Sequence, residues 1–334
     1  MRAPFPWFGG KSAVAEEVWT ALGRDPERGG VRHYIEPFAG SLAALLHAPV
    51  GRLETVNDAD GLLANYWRAC RAAPEDVADH ADWPVNEADL HARHLWLVGQ
   101  REALTDRLMA DPGWCDPQAA GWWVWGCSAW IGSGWCSGDG PWIAKDGRLA
   151  RRDPCDDGDD GTGINRHLPH LSSAGMGIHR KLPRLGDAGR GAHIRETMRE
   201  LAERLRDVRV ACGDWRRVTG PSVLSAGGNP VGVLLDPPYA EGCDVYSAGS
   251  GKSVWGDVCA WAVETGRDSS VRIVLCGYDG TWTPPHDWRE LAWKARGGYG
   301  NRGDGEGRKN AARERLWLSP GCLDPAALRQ SVLL

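Results

Sequence analysis

Strand and helix signals alternate at both ends of this 334-residue chain and stop between them, and that break constrains the fold more than any other feature. Behind Ser12, a helix start, Ala13, Val14, Val18 and Leu22 recur at roughly helical spacing. His33–Ile35 reads as a short strand, Phe38-Ala39-Gly40-Ser41 as a small-residue turn, and Leu42–Leu46 as the start of the helix that follows. A second strand, Glu54–Asn57, ends on Asp58 and leads into a helix through Leu62, Leu63, Tyr66 and Trp67. Alternation of this kind builds a doubly wound parallel sheet.

From Pro74 to about Gly191 the chain is rich in Pro, Gly, Asp and Trp, and its strong patterns are helical, at Ala88–Met109 and Ala119–Ile131. Order resumes with a helix at Glu196–Val208 and strands at Val208–Cys212, Val231–Leu235, Val271–Cys276, Glu290–Lys294 and Glu314–Leu318. The expected fold is one α/β domain, residues 1–73 plus 192–334, interrupted by a mainly helical insert over 74–191.

A net charge of -5 argues against a uniformly basic nucleic-acid coat, but charge is unevenly spread. Residues 74–160 hold 7 Lys+Arg against 17 Asp+Glu, and residues 161–200 hold 7 against 3. Arg166, Arg180, Lys181, Arg184, Arg190 and Arg195 lie in this second, glycine-rich stretch, whose composition suits either a loop that follows a phosphate backbone or a solvated surface loop. A later stretch, 294–315, carries Arg296, Arg302, Arg308, Lys309, Arg313 and Arg315 and is open to the same two readings.

The chain has 19 Trp beside 3 Phe and 6 Tyr, and Trp114, Trp122, Trp123, Trp125, Trp130, Trp135 and Trp142 fall inside the insert. Most should fill a core in which each indole N–H finds an acceptor; Trp135, beside a glycine-rich turn, is the candidate to stack on an unpaired base. The ten cysteines include no Cys-x-x-Cys pair and are expected to be reduced and mostly buried. His91-x-x-His94 and His167-x-x-His170, with Cys127, Cys136 and Cys155, fit no standard zinc spacing, so packing or nucleic-acid contact is the favoured role and no metal is expected. No apolar run is long enough to span a membrane and the N-terminus lacks a signal-peptide pattern, so a cytoplasmic location is expected.

Leu234-Leu235-Asp236-Pro237-Pro238-Tyr239 carries the most chemistry. An apolar strand delivers an acid to its C-terminal end, the edge at which open α/β sheets bind ligands, and two prolines fix the backbone beyond it. Asp236 and the Pro237 carbonyl can accept the two hydrogens of an amino group, with the Tyr239 ring as a stacking face. Alternatively, Asp236 merely caps a Pro-Pro turn. Gly40 permits close backbone approach after the first strand, and Asp58, 18 residues on, stands where an acid reaches ribose hydroxyls, so an adenosine moiety is expected.

These segments, in this order, resemble the Dam-like (D12 class) DNA adenine-N6 methyltransferases. The resemblance rests on Trp7-Phe8-Gly9-Gly10-Lys11, Glu36-Pro37-Phe38-Ala39-Gly40, Asn57-Asp58, Gly213-Asp214-Trp215 and Asp236-Pro237-Pro238-Tyr239. It implies a Rossmann-like methyltransferase sheet, with a target-recognition insert that would place Trp135 and the basic residues against DNA. It further implies S-adenosylmethionine as cofactor, held by Trp7, Gly10, Lys11, Glu36, Pro37, Phe38, Gly40, Ser41, Asp58, Asp214 and Trp215, and catalysis by Asp236, Pro237, Pro238 and Tyr239 on a flipped adenine. Leu42 departs from the family, which usually has a small residue there. Cytosine N4, adenine in RNA, or an inactive cofactor- or DNA-binding module are the alternatives. Phe5 in place of glycine excludes a phosphate-binding loop ending at Gly10-Lys11-Ser12, and Gly40-Ser41-Leu42 fails the nicotinamide-cofactor pattern.

Overall fold

The computed structural model describes residues 1–5, 7, 10–130, 134–136, 142–145, 148–151, 190–238, 251–293 and 313–324, with backbone alone for 142–145, 148–151, 190–191 and 251–253. After helix α1 (Ala15–Leu22) come strands β1 (His33–Glu36) and β2 (Leu53–Asp58), then helices α2 (Gly61–Ala72), α3 (Pro74–Ala81), α4 (Glu87–Ala110) and α5 (Pro117–Ala129). A hairpin, β3 (Trp142–Lys145) and β4 (Arg148–Arg151), precedes α6 (Arg190–Arg204), β5 (Val208–Cys212), α7 (Pro221–Leu224) and β6 (Val231–Leu235). The described chain closes with α8 (Gly251–Thr265), β7 (Val271–Tyr278), β8 (Arg289–Ala292) and β9 (Glu314–Leu318).

Seven strands form one mixed sheet in the order β5-β2-β1-β6-β7-β9-β8. β5, β2, β1, β6 and β7 are parallel, and β9 runs antiparallel between β7 and β8. Numbered in chain order within the sheet, this is 3-2-1-4-5-7-6, a Rossmann-like order in which the chain reverses direction of winding between β1 and β6. The central strand β6 is apolar throughout and every residue of it is buried, as expected of a strand covered on both faces.

Helix α2 packs on β2 and β5, while α1 and α8 pack on β7. Helices α3 and α5 lie on one another and on α2 and α6, and Val77, Ala78, Leu97, Leu104, Ala120 and Trp123 join the same apolar cluster as the sheet residues. A small second cluster gathers Leu90, Trp125, Ala129 and Trp130, with Trp135 against it. Two indoles of this cluster have their N–H groups satisfied: Trp125 donates to the Trp83 carbonyl at 2.9 Å and Trp135 to that of Trp123 at 3.0 Å.

One expected helix is corrected. Leu42–Leu46 is not helical; only a 3-10 turn, Leu45–His47, forms there. Leu42 has φ 53°, a left-handed conformation that no helix can propagate through, and its side chain is fully buried. Helix α6 also starts and ends earlier than expected, at Arg190–Arg204, and no helical expectation covered α3 or α8. Among the described residues no helix is long and apolar enough to cross a membrane.

Candidate functional site at the C-terminal edge of the sheet

The end of β2 organises the edge. Asn57 is buried, and its Nδ2 donates to the carbonyl of Pro37 at 3.0 Å and to that of Gly213 at 2.9 Å, tying the turns after β1 and β5 to β2. Asp58 accepts from the Gly40 amide at 3.0 Å through Oδ2 and from the Asp60 amide at 2.9 Å through Oδ1. Burial raises its pKa to about 6 even though these two donors favour the carboxylate. Asp58 therefore shapes the Gly40 turn directly, and each of its oxygens keeps a further lone pair.

Trp7 and Gly10 come back over this turn. A Cβ on Gly40, whose φ is 48°, would stand 2.6 Å from Trp7 Nε1, so the close approach that glycine allows is made by the Trp7 indole. A Cβ on Gly10 would lie 3.8 Å from Ser41 Oγ. Leu42 turns its side chain into the core while its backbone takes a left-handed conformation, φ 53°, of the kind glycine adopts freely.

At the winding reversal, Lys11 Nζ lies 2.7 Å from Asp236 Oδ2; Lys11 is 4% exposed and Asp236 21%. Burial alone would lower the Lys11 pKa, but the adjacent Asp236 carboxylate, with Cys276 and Glu314 farther in, raises it well above the usual lysine range. Glu36, at the end of β1, is buried and accepts from the Tyr34 hydroxyl at 3.1 Å. Burial pushes it up to about 8, and the neighbouring Asp236 acts in the same direction, so Glu36 is mostly protonated at neutral pH.

On the β5 side, Asp214 caps a short 3-10 turn by accepting from the Arg216 amide at 2.9 Å and also pairs with the Arg216 guanidinium at 3.2 Å. Trp215 is buried beside Phe38, with ring centroids 6.2 Å apart. Its Nε1 and the Oδ1 of Asn57 are buried without a hydrogen-bond partner.

The structure thus gathers Trp7, Gly10, Lys11, Glu36, Pro37, Phe38, Gly40, Ser41, Asp58, Asp214, Trp215, Asp236 and Pro237 at one edge. Pro238 follows half-buried, and Tyr239 lies outside the described residues, as do Arg166, Arg180, Lys181, Arg184, Arg302, Arg308 and Lys309. Arg190 opens α6 with its side chain outside the described set. Trp135 is held by the protein itself: a Cβ on Gly126 would stand 1.8 Å from its ring, and His94 and Trp130 lie at 5.5 and 5.3 Å. His94 stacks on Trp130 and accepts from the Cys136 amide, burial lowers its pKa to about 4, and no group of three metal ligands occurs among the described residues.

A cleft of about 470 Å³ opens on the opposite edge, lined by Arg52, Glu54, Arg204 and neighbours. Arg204 is engaged there by Glu54, and Asp236 lies at the other ends of the strands, so the cleft is no part of this site. Sequence reasoning missed the Lys11–Asp236 pair and the part Asn57 plays in tying the turns after β1 and β5 to β2. No family model matches the chain, and no curated protein matches it.

Proposed function

We propose that this protein is an S-adenosylmethionine-dependent methyltransferase that modifies the N6 amino group of adenine in DNA. The observation that carries the reading is Asp236, brought by an entirely buried strand to the winding reversal of a Rossmann-like sheet and paired there with a buried lysine 2.7 Å away. Ligands bind such sheets at this point. The antiparallel β9 also separates this sheet from the all-parallel dinucleotide order.

Residues at the edge fit the cofactor. Trp215 Nε1 and Asn57 Oδ1 are buried polar groups without partners, and the Asp58 carboxylate has lone pairs left for ribose hydroxyls. Asp58 would take the ribose, while the Trp7 to Lys11 segment and Asp214-Trp215 would close on the methionine and adenine ends. When bound, the cofactor supplies an electrophilic methyl group. The protein's part is to hold the target amine. Asp236 and the Pro237 carbonyl accept its two hydrogens and concentrate lone-pair density on nitrogen. Lys11 holds Asp236 in place, and the acid need not act as a strong base. The adenine must leave the duplex to reach them, and the acceleration comes from positioning and electrostatics.

The test uses purified protein, labelled S-adenosylmethionine, and duplex DNA, single-stranded DNA or RNA, followed by nucleoside analysis. N6-methyladenine from DNA with wild type, and its loss with Asp236→Ala, is the expected result. Label in N4-methylcytosine or only in RNA would replace the substrate assignment, and label in no substrate would overturn the reading.

A further inference from the structure

Asp58, read above as the acid for the ribose, has a second acid two residues away. The Asp60 amide donates to Asp58 Oδ1 at 2.9 Å, and the Asp60 side chain caps α2 by accepting from the Leu62 amide at 3.0 Å through Oδ1. Its other oxygen, Oδ2, lies 3.4 Å from Nη2 of Arg101, which comes from α4 in the insert. Asp60 is 15% and Arg101 25% exposed, so water screens the pair only in part. Gly61 lets α4 come this close: a Cβ there would overlap Thr105 Oγ1, one turn beyond Arg101. The guanidinium is anchored on the insert side as well. It donates to the Cys136 carbonyl, and the Cys136 amide in turn donates to His94 Nδ1 at 3.3 Å.

We propose that Arg101 is a positioning residue of the cofactor site, which compensates Asp60 so that Asp58 keeps its charge for the ribose hydroxyls. The proposal rests on the reading of Asp58 as the ribose acid. Burial raises the pKa of Asp58 to about 6, and the Asp60 charge acts in the same direction. The titratable groups facing Asp58 are Asp60 and, from β5, Cys212, on which Arg68 and Arg217 also act. Cys127 and Cys136 feel Asp60 too, and Cys136 also feels Arg101. With Arg101 removed, Asp60 would stand uncompensated beside Asp58, and Asp58 would take up its proton at higher pH. A protonated carboxyl turns one acceptor oxygen into an O–H donor, which the ribose hydroxyls cannot use as the carboxylate is used. Helix α4, part of the insert by sequence, thereby serves the cofactor site.

Calorimetric titration of S-adenosylmethionine across pH separates this role from a merely structural one. Arg101→Met should match wild type at about pH 8.5 and bind about 5-fold more weakly at about pH 6, because the Asp58 titration moves up by about one unit. Adding Asp60→Asn should restore the wild-type profile, since asparagine still caps α2 and carries no charge. Carboxyl 13C NMR of aspartate-labelled protein gives a readout independent of the cofactor, with the Asp58 signal identified by its loss in Asp58→Asn. In Asp60→Asn alone, Asp58 should titrate below its wild-type value; this variant carries the test if Arg101→Met does not fold. Equal weakening at every pH in Arg101→Met, no recovery in the double variant, or an Asp58 titration unmoved in either single variant would each overturn the proposal. Wild-type protein that binds no S-adenosylmethionine would instead count against the cofactor assignment, while the Asp58 titrations would still decide whether Arg101 compensates Asp60.

Discussion

The two edges of the sheet each hold a buried ion pair, and the pairs differ in ways that separate chemistry from support. At the N-terminal edge Arg204 meets Glu54 with two hydrogen bonds of 2.6 and 2.9 Å and donates to the Leu45 carbonyl at 2.8 Å; Arg204 is 9% and Glu54 5% exposed. At the C-terminal edge Lys11 meets Asp236 at 2.7 Å, with Asp236 left 21% exposed. A planar guanidinium in a two-point clasp fixes geometry, whereas a lysine ammonium is a point charge that can be shared. The first pair uses its carboxylate up; the second keeps a partly open acid supplied with a positive neighbour.

The largest expected effect breaks the second pair. On the proposed function, Asp236→Ala should reduce kcat/KM for methyl transfer by at least about 10³-fold, since it would remove an acceptor for the target amine; labelled-cofactor kinetics measure it. Arg204→Met tests the first pair and should destabilise the fold by about 3–5 kcal/mol, because Glu54 is left buried and uncompensated. Urea denaturation would register this loss, and adding Glu54→Leu should recover much of it. Fully folded Arg204→Met should transfer methyl groups at the wild-type rate.

A third prediction concerns pH. Glu36 has a folded pKa of about 8, above its ordinary value of 4.5, so the folded state binds this proton more tightly. Its contribution to stability is complete below about pH 4.5 and is lost as pH rises through about 8. Asp58, raised to about 6, acts the same way over a lower window, while His33 and His94, lowered to about 4, contribute above pH 6.5 and lose it toward 4. Between pH 6.5 and 8, therefore, the urea midpoint of the wild type should fall, and Glu36→Gln should flatten that slope. The smallest effect belongs to the surface: Arg199 and Glu75, 2.5 Å apart but 62% and 46% exposed, should contribute no more than about 1 kcal/mol, measured by the denaturation midpoint of Arg199→Ala.

All seven strands of the main sheet were legible in the sequence, most plainly where a short apolar run is bounded by turn residues, as at Val231–Leu235 before Asp236. The Leu42–Leu46 run misled for the same reason: apolar residues with no polar interruption read equally well as helix, and only the left-handed Leu42 decides against it. Helix α8 escaped notice although Trp255, Val258, Cys259 and Ala262 are buried at helical spacing, because its Gly251-Lys252-Ser253 opening resembles a turn. The site residues were legible where a motif carried them, from Glu36 to Gly40 and at Asp236. Pairings across the fold were not, since nothing in sequence spacing relates Lys11 to Asp236. Arg195, read as part of a basic loop, belongs instead to helix α6 and pairs with Asp79 on α3.

Asn57 has a further consequence. One amide group clips together the turns that follow β1 and β5, holding them through carbonyls 156 and 20 residues away in the chain. A small molecule spanning those turns meets walls whose spacing is already set. Little conformational entropy then has to be surrendered on association, and a molecule of the wrong length is refused by rigidity, since widening the gap would tear two buried hydrogen bonds.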